Sequence, residues 1–531
     1  MSEYIVGIDF GASSIKAVIN NGDKLLSLKL SKTGETCELP NVIWYNKMSS
    51  GKIQHIVGSK ARNMEPVEPD NAVSWIKRKL TLPNWSKKIE CMSSEVSAWG
   101  VAGDVLDSVK IKIAERTGLE KDQDLRAVLS VPVNFSTLQR RKLKEAAQKA
   151  GIRVEAIVTE PFAALFSMKN VFKMNQQLVF VFDFGASTLD VSIVKVDTSN
   201  KLVFKELAAA GLNLGGVDID EAIAEKLIRP KYKDELEACC ESLESPKIDK
   251  ETAKKVLNCF IMNCARGIKE EIFGDDLDET EGNIYDIEVT VTRDELLELF
   301  EREHYKERII EMLDNLFDDL VEGEDCFDKE DVTMILPFGG TSKINYFMEI
   351  LEEYFDGKFD AESFSFGDNN DLNAGLSDRY MAVAGGAVVY AKRIKNGRDV
   401  EVENVIPFRI GYEWRDKFVS CIAKNAPRSF KAKAMPLIHN ELDLRDWKVQ
   451  IYQSFSVDST VINKIEGSDD GAVYIATVQL NKKLYNTNED VLMRMTIPSG
   501  DILQLTFYQL QLVGNETELA MIEKQEISIG G

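Results

Sequence analysis

Short apolar runs of β type, each broken by the same small-residue turn, occur twice along the chain. Tyr4 to Ile19 reads YIVGIDFGASSIKAVI, and Gln177 to Lys195 reads QLVFVFDFGASTLDVSIVK. In both, a run rich in Val, Ile and Phe stops at Asp-Phe-Gly-Ala-Ser and resumes as a second apolar run, which predicts a tight β-hairpin. Aligned, Asp9 falls on Asp183, Gly11 on Gly185, Ala12 on Ala186, Ser13 on Ser187 and Ser14 on Thr188, while Lys16 falls on Asp190. The repeat implies one supersecondary unit used in two related halves.

The periodicity elsewhere places further elements. Lys24 to Leu30 and Val42 to Tyr45 read as strands, and Glu95 to Thr117 carries apolar residues at helical spacing. Leu125 to Phe135 reads as a buried strand ending at Pro132, and the helix begun by Ser136 stops at Gly151. A strand over Val154 to Val158 runs into Glu160-Pro161, so Glu160 stands at a strand end, where α/β folds place ligands. Helical patterns cover Ala253 to Phe273 and Arg293 to Leu320, with an acidic loop over Asp275 to Glu281 and a strand over Ile284 to Val291 between them. Asp331 to Phe338 is an apolar strand that meets Gly339-Gly340-Thr341. From Pro407 onward the text is strand after strand through Leu512, the pattern of a β-sandwich.

The repeated turn has chemistry of its own. Successive N–H groups of Gly-Ala-Ser-Ser can surround phosphate oxygens, and the carboxylate before the glycine can hold hydrated Mg²⁺ against them. Either copy alone reads as an ordinary hairpin turn. Two facing each other would grip one polyphosphate from both sides.

Totals narrow the picture. At 531 residues the chain is too long for one core, and a net charge of −22 argues against a nucleic acid as main partner. The N-terminus enters a strand without a basic start, and no apolar run approaches membrane-spanning length, so a cytoplasmic protein is expected. Eight cysteines without CxxC pairs and three histidines without ligand neighbours point away from zinc and from a His-based triad.

The paired loops resemble the two phosphate loops of the sugar kinase, actin and heat-shock ATPase superfold. The residues around them resemble the seventy-kilodalton heat-shock chaperones of DnaK type. That resemblance implies an α/β actin-like ATPase fold of two duplicated lobes followed by an all-β sandwich. The expected divisions are a nucleotide-binding domain over 1–394, a linker over 395–406 and a peptide-binding-like domain over 407–531. It implies ATP or ADP with Mg²⁺ as cofactors, with Asp9, Asp183 and Asp190 at the metal and Asp9, Glu160 and Asp183 positioning metal and water.

Several segments carry the resemblance residue by residue. Counting from Gly58, the family's catalytic lysine position holds Arg62, with Lys60 nearby, ahead of the run NAVSWIKRKL over Asn71 to Leu80. Arg keeps the charge but not the geometry of an ammonium, so weak ATPase activity is expected. Gly211 to Asp220 matches G-x-x-x-L-G-G-x-D-x-D and implicates Gly215, Gly216 and Asp218. Cys264 to Ile272 matches the adenosine-contacting helix loosely: Lys269 fits, whereas Arg266 stands where Glu is usual and Phe273 where Ser is usual. Gly339, Gly340, Thr341 and Lys343 resemble G-G-S-T-R-I, and Asp378 opens a segment like P-D-E-A-V-A. Pro132 and Arg140 occupy the positions of the family's interdomain switch.

Val400 to Glu403 alternates Val with Glu where the family linker is mostly Leu and Val, so weaker apolar docking is expected. Ile422 to Asn425 matches I-A-K-N, and no long helical segment follows, so the helical lid is expected to be absent. The partners implied are peptides or unfolded protein segments at the β-domain and co-chaperones, with no nucleic acid or membrane, for a monomer. Because Arg62, Ala12 and Lys343 depart from the chaperone pattern, a nucleotide-sensing scaffold without hydrolysis stays open. So do a sugar or acyl kinase and an actin-like filament protein, both less favoured by the C-terminal β-domain.

Overall fold

The structure is a computed structural model. It describes residues 4–529 apart from 22–23, 32–35, 83, 119–124, 169–175, 247, 322–326, 360–378, 397–399, 415, 428–434, 438–446, 456–461, 463–470, 486–490, 498–501 and 514–515. Asp378 lies outside the described residues.

Both repeats fold as hairpins at the centre of equivalent sheets. In the first lobe Val6–Phe10 pairs antiparallel with Ser14–Asn21 and parallel with Leu125–Val131, which pairs in turn with Ile152–Thr159. In the second, Gln176–Phe184 pairs antiparallel with Leu189–Asp197 and parallel with Met334–Phe338. Around each hairpin the order is the same, a parallel neighbour beside the first strand and an antiparallel one beyond the second, as expected of a duplicated unit. Central strands buried on both faces read as continuous apolar runs, and Val6, Ile8, Phe180 and Phe182 are all fully buried.

Helices cover the sheets. Ala98–Thr117, capped by the Ser97 hydroxyl, packs on the first sheet. Tyr305–Val321 packs on the second, against Leu202–Leu212, and Lys250–Gly274 packs on the strand Glu279–Ile284 outside that sheet. Glu160–Phe166 and Ala382–Asn396 lie between the lobes and share a core with both sheets.

The C-terminal strands form two four-stranded antiparallel sheets around one core that includes Ile410, Ile451, Met493 and Phe507. This sandwich rests on the lobes. Thr137, first residue of the helix Thr137–Lys149, donates its backbone N–H to Gln453 Oε1 at 3.0 Å and its hydroxyl to the Ile529 carbonyl at 3.1 Å. Ala209 N–H donates to Asn425 Oδ1 at 3.1 Å. The linker strand Val400–Glu403 joins the second lobe's sheet, parallel to Leu202–Leu212. The Val/Glu alternation suits this edge position: Val402 packs against the core shared by the lobes while Glu401 and Glu403 are exposed.

Three segments differ from the sequence pattern. Glu279–Ile284, expected mainly as acidic loop, is a strand paired with Ile287–Thr292, because Thr280 and Ile284 alternate into the core. The long helix expected from Arg293 is two, Arg293–Arg302 and Tyr305–Val321, broken where His304 takes φ 54. A strand not anticipated, Glu516–Ser528, pairs along the whole of Ile502–Val513.

Candidate functional site

The two hairpin tips are held from outside in the same way. Asn41 Nδ2 donates to the Gly11 carbonyl at 2.7 Å, and Thr341 Oγ1 donates to the Gly185 carbonyl at 2.8 Å. Each loop therefore has its carbonyl tied back by a neighbouring side chain; within the second tip Gly185 N–H is itself spent on the Thr188 carbonyl at 2.9 Å, and the amides beyond it turn the tip toward an anion.

At the base of the tips lie the acids. Asp9 accepts from Lys16 Nζ at 3.2 Å and from the Ser130 hydroxyl at 3.3 Å. Asp183 faces Asp190 across its own hairpin. Burial, then Asp190 and Asp9, push the Asp183 carboxyl up to about 7. Asp190 is pushed up to about 6 by burial. Its Oδ1 accepts from Val133 N–H at 2.6 Å, and its buried Oδ2 has no partner among the described residues. Asp9 is among the charges that raise the Asp183 carboxyl, so the acids of the two hairpins lie in one neighbourhood between the lobes.

Glu160 completes the group. It begins the helix Glu160–Phe166 at the end of Ile152–Thr159, and Lys77 Nζ pairs with it in a buried ion pair. Burial pushes the Glu160 carboxyl up, as do Asp190, Asp9 and Asp183, while Lys77 opposes them. The Lys77 ammonium is raised overall: burial alone would lower it, and Glu160, Asp9 and Asp190 outweigh burial. Lys77 on Glu160 thus joins Lys16 on Asp9 as a cation inside the carboxylate cluster.

Arg62 stands outside that cluster. Its Nη2 donates to the Ser13 carbonyl at 3.3 Å, behind the first loop, and Lys60 lies over the Trp44 ring at 5.5 Å. A register counted from Gly58 fails because Ser59–Met64 is helical and the chain then turns at Pro69–Asn71, bringing a later lysine inward. Trp75, with φ 53 and ψ 42, turns the chain into Ile76–Lys79. A left-handed conformation is costly for so bulky a residue, and the Arg266 guanidinium lies 5.0 Å from its ring. Of Lys77, Arg78 and Lys79, only burial tells which one enters the cleft.

The remaining candidates gather around the second tip. A Cβ on Gly215 would sit 2.4 Å from Ser187 N, so the Gly215-Gly216 turn packs directly on that loop. Asp218 Oδ2 accepts from Gly215 N–H at 2.8 Å. Gly339 has φ 85 and no room for a side chain beside the Phe184 carbonyl, which seats the Gly339-Gly340 turn against Asp183. Lys269 Nζ donates to the Gly216 carbonyl at 2.7 Å and pairs with Asp220 at 2.6 Å. Lys343 Nζ lies 4.5 Å over the Tyr380 ring. Arg78 bridges the lobes to Asp218 at 3.1 Å and Glu221 at 3.2 Å.

Pro132 and Arg140 stand behind the acids. Pro132 accepts from Phe135 N–H at 3.2 Å, closing a turn whose Val133 amide holds Asp190. Arg140, 3% exposed, donates to the carbonyls of Phe135 and Val133. One turn thus connects Asp190 to the helix whose first residue touches the β-sandwich.

Two tip loops, two further glycine turns and a sandwich docked on the first lobe together match one family. Its model, described as Hsp70 protein, matches residues 5–456. The chain belongs to the Hsp70 family. It is similar to the chaperone protein DnaK of Mycoplasmopsis agalactiae, 33% identical over 236 residues, covering 44% of this chain and 36% of that protein. It is also similar to DnaK of Picrophilus torridus, 28% identical over 422 residues, covering 77% of this chain and 61% of that protein. The matched part of this Hsp70 chain thus spans less than two thirds of the length of these relatives.

The acid cluster fits a divalent cation by its chemistry. Three mutually repelling, buried carboxyls with raised proton affinity and an oxygen without a partner are what a missing positive charge leaves behind. Among the described residues no three His, Cys, Asp or Glu side chains are grouped to ligate an ion by themselves. That suits Mg²⁺, which keeps several waters and takes other ligands from phosphate. Among the described residues no helix is long and apolar enough to cross a membrane.

Proposed function

We propose that this Hsp70 chain is an ATP-dependent molecular chaperone of DnaK type. It binds ATP or ADP with Mg²⁺ between the lobes, hydrolyses ATP, and so controls how the β-domain holds a peptide or an unfolded protein segment. The observation that carries this reading is the meeting of two DFGAS tips over one group of buried acids, with Lys16 paired to Asp9 and Lys77 to Glu160 inside it.

In this scheme the amides of Gly11 to Ser14 and of Ala186 to Thr188 bind phosphate oxygens, with the Gly185 amide closing its own tip onto the Thr188 carbonyl. Gly215, Gly216, Gly339, Gly340 and Thr341 close the far side, with Lys269, Lys343 and Asp218 toward the nucleoside. Asp9 and Asp183, backed by Asp190, would hold Mg²⁺ through water, and the ion would offset the charge of the β- and γ-phosphates. Glu160, held as a carboxylate by its ion pair with Lys77, would take a proton from the attacking water. Lys77 holds Glu160 in place and supplies the positive charge that the sequence pattern had assigned to Arg62.

Through Val133, movement of Asp190 reaches Pro132 and Arg140 and the Thr137 contacts with Gln453 and Ile529. The nucleotide-binding part would end near residue 394 and the β-domain begin near 407. Co-chaperones, a monomeric state and a cytoplasmic setting belong to the same proposal.

Turnover and Mg²⁺-dependent ATP affinity, measured with and without an unfolded peptide, test it. The expected result is turnover stimulated by peptide, and an Asp9→Asn variant that keeps its fold by circular dichroism but loses roughly 10-fold or more in affinity. Unchanged affinity in that variant would remove the assignment. Tight ATP binding without turnover would instead identify a sensor, and a phosphorylated sugar would identify a kinase.

A further inference from the structure

The turn that carries Lys77 is held from the opposite lobe on both sides of that lysine. Before it, Trp75 presents its ring to the Arg266 guanidinium, 5.0 Å away on the second-lobe helix Lys250–Gly274. Arg266 is steadied in turn by Asp220, whose Oδ2 lies 3.9 Å from its Nε. After it, Arg78 reaches Asp218 at 3.1 Å and Glu221 at 3.2 Å, both on the second-lobe helix Gly216–Ile223. Lys77, between the two, turns instead to Glu160 and is buried there.

The backbone is strained where this grip begins. Trp75 takes φ 53 and ψ 42, a left-handed conformation that bulky residues rarely adopt. The first lobe fixes the chain on either side of it: Ala72–Ser74 pairs with Val42–Lys47, and Ile76 is fully buried in the first-lobe core. Between these anchors the ring is met from the other lobe, by a cation on its face. A strained turn persists only while its surroundings over-determine it, and here part of those surroundings belongs to the second lobe. Separating the lobes removes the contacts of Arg266 and Arg78 and lets the turn relax. Lys77 stands between Trp75 and Arg78 in the chain, too near both to keep its own place when they are released.

Resting on the ATPase reading of the cleft, we infer that Trp75, Arg78 and Arg266 are positioning residues that make the seat of Lys77 conditional on lobe closure. With the lobes apart, Glu160 loses its cation. With the lobes shut, that charge is in place for hydrolysis, so the second lobe completes the site through the chain of the first.

Pulse labelling of lysines with acetic anhydride, read by mass spectrometry on the ligand-free full chain, tests the seat of Lys77 without any turnover. Lys77, with 7% of its side chain exposed, should label slowly in the unaltered chain and roughly 2- to 30-fold faster in Arg266→Ala and in Arg78→Ala, with Arg266→Lys restoring most of the protection. Lys87, bonded to the Pro69 and Ala72 carbonyls inside the first lobe, should label at an unchanged rate, which excludes general unfolding. In single-turnover hydrolysis at saturating ATP the same variants should lose rate by a similar factor while ATP affinity changes less. Arg266→Ala should cost nothing further beside Trp75→Gly, since glycine adopts the turn and leaves no ring to hold. Equal protection of Lys77 in all variants would overturn the inference, and so would a loss from Arg266→Ala that persists undiminished beside Trp75→Gly. A chain that hydrolyses no ATP would overturn the ATPase reading and leave the labelling rates to decide the clamp.

Discussion

The first hairpin carries its own counter-charge and the second does not. Lys16 pairs with Asp9 across one; burial would lower its ammonium, but Asp9 and Glu38 outweigh burial and leave it pushed up to about 12. In the other, the equivalent position is Asp190, and Asp183 is pushed up to about 7 beside it. Identical tips thus sit on opposite electrostatic foundations. The second hairpin borrows its cation from the first lobe, through Lys77, and would borrow more from a bound metal ion. A duplicated unit can in this way grip both ends of one ligand without being redundant: the neutral half is preorganised, while the acidic half is completed only when a cation arrives.

Removing the borrowed charge should break this division most. Lys77→Met leaves Glu160 buried without its partner, and single-turnover ATP hydrolysis is expected to fall roughly 10²- to 10⁴-fold. Arg62→Met should cost less than about 10-fold, since its guanidinium reaches only the Ser13 carbonyl. Equal losses in the two variants would return the role to Arg62.

Making the second hairpin less acidic should have a middling effect. Asp190→Asn keeps an acceptor for the Val133 amide but removes one of the repelling charges. Mg²⁺-dependent ATP affinity should drop about 10-fold, while the ligand-free melting temperature at pH 8 rises by a few degrees. A lower melting temperature would show that Asp190 is chiefly a structural acceptor.

The smallest effect concerns pH. Asp183 and Asp190 have folded-state proton affinities raised above the ordinary carboxylate value of 3.8. Their contribution to stability is complete below about pH 4 and is lost as pH rises through about 6 to 7. The ligand-free protein should therefore melt at progressively lower temperature between pH 5 and pH 8. That slope should be shallower in Asp183→Asn, and equal slopes would deny the burden on the second hairpin.

Legibility in the sequence followed the range of the forces involved. The hairpins were readable because alternation and Asp-Phe-Gly act over a few residues, and Glu160 because Glu-Pro marks a helix start. Ser136 and Gln139 form the capping box that begins Thr137–Lys149, again a local device. Lys77 was hidden among three consecutive basic residues. The last strand was hidden as well, since Glu516–Ser528 is rich in Glu and owes its pairing to its partner strand rather than to its own apolar content.

From sequence alone came the duplicated hairpins, the two-lobe architecture, the sandwich and the acids themselves, all consequences of local patterning and repetition. Tertiary structure alone decided which cation enters the cleft, which acid is left over-charged, and how Asp190 connects to the β-sandwich. Those depend on burial and on distances between residues far apart in the chain. No local pattern encodes the electrostatic field at a point where two lobes meet.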